Sequence, residues 1–172
     1  ERGQRFFFDA DDGVHGRELW VSDGTSIGTT MLGDMESGDA IDWNSEITTW
    51  MNGVVFTTNG QQGNRMWWSN GSVTTSIWQA PWLAASVSSD LINQTATITS
   101  IGQGLLHGDA SGLWFAAKET QIGLEMMYLD NNGTLHMFDL QPFGDSSPSR
   151  GVSVDGGYVV VASDGTGRQL AK

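Results

Sequence analysis

Short apolar runs recur along the chain, each rich in aromatic and β-branched residues and bounded by turn-forming ones: Phe6-Phe7-Phe8, Val54-Val55-Phe56, Leu113-Trp114-Phe115 and Tyr158-Val159-Val160-Val161. Each precedes an anchor glycine, at Gly16, Gly63, Gly123 and Gly167, and a second run follows the anchor. Runs this short, flanked by Gly, Asn, Asp and Ser, predict strands rather than helices. The turn-rich links Asp9-Ala10-Asp11-Asp12-Gly13 and Thr58-Asn59-Gly60-Gln61-Gln62 join the paired runs as hairpins.

The pattern is a repeat. Gly16-Arg17-Glu18-Leu19-Trp20-Val21-Ser22-Asp23-Gly24-Thr25 aligns without gaps on Gly63-Asn64-Arg65-Met66-Trp67-Trp68-Ser69-Asn70-Gly71-Ser72, and a third copy begins Gly123-Leu124-Glu125-Met126-Met127-Tyr128. Asp23-Gly24 and Asn70-Gly71 predict tight two-residue hairpin turns with positive φ at both central positions. A third apolar stretch follows each turn. A fourth strand is expected at Glu46-Ile47-Thr48-Thr49-Trp50, Ala96-Thr97-Ile98-Thr99-Ser100 and Gly151-Val152-Ser153-Val154. Four short antiparallel strands in about 45 residues match a propeller blade in size and content.

On this reading residues 1–51 form repeat one, 52–110 repeat two, 111–155 repeat three, and 156–172 the first two strands of a fourth. Repeat two is longer than its neighbours, and the excess falls at residues 81–94. Insertions in repeat proteins gather on one face, often the binding face, although a surface insertion without a role is equally well tolerated.

Composition narrows the class. Gly contributes 23 of 172 residues, and charged residues are only 16% of the chain, which argues against charged helical bundles and coiled coils. Twenty acidic against eight basic residues give a net charge of −12, which would repel a phosphate backbone and makes nucleic acid a poor partner. There is no Cys, so disulfide scaffolds and thiol chemistry are excluded. No apolar run is long enough to span a bilayer as a helix, and the chain reads as a soluble mature or internal fragment.

The segment from Asp9 to Thr29, with Gly16, Glu18, Leu19, Trp20, Asp23, Gly24 and Thr25 as its fixed points, resembles the ELWxxDGT repeat family of large secreted or surface-anchored prokaryotic proteins. Repeat one matches the motif fully. Later copies depart from it, with Arg65-Met66-Trp67 and Glu125-Met126-Met127 in place of Glu-Leu-Trp, and Asn70-Gly71-Ser72 in place of Asp-Gly-Thr. The Gly144-Asp145-Ser146-Ser147-Pro148 loop is also similar to the family's. The resemblance implies an all-β, propeller-like fold at the cell surface or outside the cell. Closed propellers have four or more blades. Three and a half repeats are therefore expected to belong to a larger propeller, or to an assembly in which further copies complete the ring.

Candidate chemistry is sparse. Asp9, Asp11 and Asp12 cluster in a glycine-containing loop and could supply the oxygen ligands that Ca²⁺ requires, or form a solvated acidic turn. Trp20, Trp67 and Tyr128 are expected at one point of the repeat, as packing between blades. Trp43 and Trp82 fall outside that register and are candidates for stacking on a sugar. Asn70, Asn93 and Asn132 begin formal N-glycosylation sequons. His15, His107 and His136 are isolated in sequence, and no HExxH or GxSxG motif is present. No catalytic residue and no cofactor other than calcium is predicted. The expectation is a non-catalytic structural or adhesive module, with further copies of itself or the rest of a larger chain as partners. A carbohydrate-binding propeller, or the propeller part of a carbohydrate-active enzyme, is the alternative.

Overall fold

The computed structural model describes residues 4–42, 45–60, 63–77, 98–142, 144–155 and 157–171. Trp43, Trp82, Asn93 and the insertion at 81–94 lie outside them. Among the described residues the chain is all-β, in four antiparallel meanders. Sheet 1 comprises β1 (Phe6–Asp11), β2 (Arg17–Ser22) and β3 (Thr30–Met31). Sheet 2 comprises β4 (Ile47–Trp50), β5 (Gly53–Gly60), β6 (Gly63–Ser69) and β7 (Thr74–Ser76). Sheet 3 comprises β8 (Ile98–Gly108), β9 (Gly112–Glu119), β10 (Gly123–Asp130) and β11 (Leu135–Phe138). Sheet 4 comprises β12 (Ser149–Val154), β13 (Gly157–Ser163) and β14 (Arg168–Ala171).

The sheets are phased one strand earlier than the sequence frame. The strand expected to finish each repeat opens the next sheet instead: β4 pairs with β5, β8 with β9 and β12 with β13. Connection length explains it. Only Met51-Asn52 separates β4 from β5, with Met51 at φ 53°, and so short a loop holds two strands antiparallel. The link from β3 to β4 is long and crosses to a new sheet.

A second difference lies in the Asp-Gly turns. Gly24, Gly71 and Gly133 take positive φ, but Asp23, Asn70 and Asn132 do not, so both-positive turns are not formed. Side chains close the turns instead. Asp23 Oδ1 accepts the Thr25 amide and hydroxyl at 3.0 and 2.8 Å, and Asn70 Oδ1 accepts the Ser72 and Val73 amides, both at 3.0 Å.

Register fixes which face of each strand is buried. Phe8 pairs with Trp20, Phe56 with Trp67, Phe115 with Met127, and Val160 with Ala171, so these four pairs are equivalent. In sheets 2, 3 and 4 the pair faces the preceding sheet. Phe56 and Trp67 pack with Phe7 and Leu19 of sheet 1, Phe115 and Met127 with Val55 and Met66 of sheet 2, and Val160 and Ala171 with Ala116 and Met126 of sheet 3. The four sheets therefore stack face to face in chain order. Tyr128 does not share the position of Trp20 and Trp67. It pairs with Trp114, one residue along from the slot that Met127 fills, because the gap-free alignment runs through Gly123.

The opening strands lie side by side. β4 and β12 both pack against β8. Gly108 N donates to Thr48 Oγ1 at 3.0 Å, and Gly104 N donates to Glu46 Oε2 at 3.2 Å from an irregular stretch of β8 between Ile101 and Leu106. Among the described residues the four sheets do not close into a ring. No helix there is long and apolar enough to cross a membrane.

Candidate interaction site

Sheet 1 differs from the other three in one respect: β1, the counterpart of β5, β9 and β13, has no opening strand on its outer edge among the described residues. Beside that edge runs a cleft of about 570 Å³ between sheets 1 and 2, lined by Phe7, Phe8, Leu19, Ile41, Ile47 and Phe56. Its polar rim is Asp9, Arg17, Asp39, Asp42, Ser45 and Glu46. Ile47 is half exposed across the cleft from β1. The combination is a free strand edge, an apolar floor and a predominantly acidic rim.

The rim is held in place by the repeat motif. Gly16 takes φ 82°, and a Cβ there would sit 2.6 Å from the Gly38 carbonyl carbon, so the anchor position requires glycine on both counts. Its close approach lets Asp39 Oδ1 accept the Arg17 amide at 2.8 Å. Asp145 Oδ1 accepts the Leu124 amide at the same distance beside Gly123. Asp9 is ion-paired to Arg17. Asp42 accepts a hydrogen bond from Asn59 Nδ2 at 2.6 Å, and burial pushes the Glu46 carboxyl up against the hydrogen bonds it accepts from β8.

The structure separates the three calcium candidates by role. Asp9 pairs with Arg17, and Asp11 Oδ1 accepts the Gly13 amide at 2.7 Å. Asp12 Oδ1 accepts the Val14 and His15 amides, both at 2.9 Å, and its Oδ2 lies 2.7 Å from His15 Nδ1. The His15 amide and ring, with the Val14 amide, lower the Asp12 carboxyl to about 2. The Asp12 hydrogen bond and charge raise the His15 pKa in turn. Among the described residues no group of three or more His, Asp or Glu side chains is arranged to hold a metal ion.

The other motif residues build the scaffold. Leu19 is buried against sheet 2, and Trp20 donates from Nε1 to the Ala10 carbonyl at 3.1 Å. Trp67 donates from Nε1 to Thr58 Oγ1 at 3.0 Å. Glu18 is fully buried, and desolvation pushes its carboxyl up to about 7 against the nearby Met35 and Glu36 amides, which fall short of hydrogen-bond geometry. Asn70 Oδ1 is occupied by two backbone amides, whereas Asn132 is exposed in its turn.

One cluster was not legible in the chain. Ser153 Oγ donates to Asp109 Oδ2 at 2.9 Å and lies 3.0 Å from His107 Nε2, joining β12 to β8. Its residue types suggest a nucleophile and base, but the hydroxyl has one proton and gives it to Asp109. His107 Nε2 must then donate to Ser153, so it is not placed to remove that proton. Only the strand offset between β8 and β12 brings residues 107 and 153 together, and no motif spacing announces it.

No family model, curated protein or solved structure matches the chain.

Proposed function

We propose that the chain is a non-catalytic structural or adhesive β-module, propeller-like and of the ELWxxDGT type, that works at the cell surface or outside the cell by binding other proteins. The observation that carries this reading is the cleft at the free edge of β1. Strand addition supplies backbone hydrogen bonds for affinity, and alternate side-chain pockets supply specificity. Phe7, Phe8 and Ile47 offer the pockets, and the acidic rim favours a strand carrying a basic residue.

The test is a fluorescently labelled peptide with the sequence of residues 45–51, which hold β4, the opening strand of sheet 2, extended by a lysine and titrated by anisotropy against the parent protein and its Ile47→Asp variant. Saturable binding that Ile47→Asp weakens at least tenfold supports the reading; no saturable binding, or binding indifferent to Ile47→Asp, rejects it. A carbohydrate ligand is the second reading, favoured by aromatic rings and carboxylates lining the same cleft. Glycan-array binding abolished by Phe8→Ala, with no peptide binding, would select it.

Calcium at Asp9, Asp11 and Asp12 is the accompanying metal proposal, and it requires displacing Arg17 and the turn amides. A rise in Tm with calcium that magnesium does not reproduce would establish it.

A further inference from the structure

Among the described residues, sheets 1 and 4 expose complementary versions of one interface. In sheets 2, 3 and 4, the equivalent pairs Phe56–Trp67, Phe115–Met127 and Val160–Ala171 each bury one face against the sheet before. In sheet 1 the same position is Phe8–Trp20, and no sheet precedes it among the described residues. Phe6, on that face beside Ser22, is 56% exposed and Phe8 38%.

The opposite face follows the same logic. Phe7, Val55 and Trp114 stand one residue before Phe8, Phe56 and Phe115, and each packs toward the following sheet. Val159 is their counterpart in sheet 4, paired with Val152, and Leu170 lies across from Val161 on the same side. Val152 is 59% exposed and Leu170 75%. Two apolar faces this open on one small chain mark interaction surfaces.

We infer that a second copy of this chain docks head to tail, its sheet 1 on the first copy's sheet 4, extending the stack by the interface already used three times inside it. The occupant is specified by register. Sheet 4 presents the side that sheets 1 to 3 turn toward their successor, and sheet 1 presents the side that sheets 2 to 4 turn toward their predecessor. The contact is heterologous, so it leads to a ring if the rotation closes and a filament if it does not. The −12 charge on each copy opposes association, so salt that screens it strengthens the contact. Phe8 borders both this face and the β1 cleft, but Phe6 and Leu170 are outside the cleft lining, so substituting them tests this contact without altering the cleft.

Analytical ultracentrifugation of three versions tests it: the chain itself, Phe6→Asp with the sheet 1 face blocked, and Leu170→Asp with the sheet 4 face blocked. Both substituted side chains are exposed, so thermal melts should match the parent and show that folding is intact. The parent should exceed one chain mass with rising concentration, more so at high salt. Each variant alone should stay monomeric, and an equal mixture should give a 1:1 dimer through the one intact pair of faces. A parent that is monomeric throughout, a variant that dimerises alone, or a mixture that stays monomeric would overturn the inference.

Discussion

Glu125 Oε1 accepts the amide of Ser146 at 2.9 Å, and its Oε2 accepts that of Leu140 at the same distance. One buried carboxylate therefore closes the link between β11 and β12 from beneath. Asp145 caps the Leu124 amide on the same loop, so β10 fixes where the chain leaves sheet 3 and starts sheet 4. Glu125→Ala would strand two amides in a buried site, a loss of about 2–4 kcal/mol. Glu125→Gln keeps one acceptor oxygen and should cost less. Urea denaturation should rank the parent above Gln and Gln above Ala; equal midpoints for all three would show that the loop does not depend on this side chain.

Glu18 holds the equivalent place in β2 without equivalent hydrogen bonds, and that gives the protein a pH dependence. Its folded pKa, about 7, stands above the ordinary 4.5, so the folded state binds a proton that the unfolded state releases. The stabilising contribution is complete below 4.5 and disappears as pH rises through about 7. The difference corresponds to roughly 3 kcal/mol. Glu18→Gln should therefore match the parent near about pH 4 and exceed it near about pH 8. Parallel pH curves for parent and variant, measured by urea midpoint, would contradict this.

The strands and their antiparallel sense were legible because they follow from local residue types. Anchor glycines, turn residues and apolar runs all act within a few positions of themselves. Sheet membership was not, since whether 47–50 joins its predecessor or its successor depends on comparing a two-residue turn with a long crossover. Nor was the position of Tyr128, because aromatic identity drew the alignment away from the register that Gly123 sets. The β1 cleft is a property of what stands beside the edge, and no residue in Phe6–Asp11 distinguishes a covered edge from a free one. Glu18 and Glu125 were recognisable as motif residues, but their burial depends on the distant loops that cover them.

His15 and Asp12 provide a local check on the acidic loop. The Asp12 carboxylate, 2.7 Å from Nδ1, stabilises the imidazolium, so His15 should titrate above the ordinary 6.5. NMR titration of Asp12→Asn should return it toward 6.5. An unchanged His15 midpoint would mean that the pair does not persist in solution. Saturating calcium adds a second arm: a cation taken up by Asp12 would lower the His15 midpoint, because the carboxylate could no longer serve the ring.

Two glycines separate close packing from backbone conformation as reasons for the high glycine content. A Cβ on Gly112 would fall 2.4 Å from the Leu129 carbonyl oxygen and 2.5 Å from the Tyr128 ring, with β9 and β10 already at strand spacing. Gly24 has φ 90° and nothing within 4 Å of an added Cβ, so substitution there costs only the left-handed backbone conformation. That cost is about 1–2 kcal/mol. Gly112→Ala must instead push apart a strand pair next to the Trp114–Tyr128 stack, whose centroids are 4.3 Å apart, and overpacking of this kind costs about 1–3 kcal/mol. The two should differ in character as well as size. Gly24→Ala should leave the near-ultraviolet aromatic signal unchanged, whereas Gly112→Ala should alter it, since relief requires Tyr128 to move. An unaltered aromatic signal in Gly112→Ala would place Gly112 with the turn glycines and remove close packing as its reason.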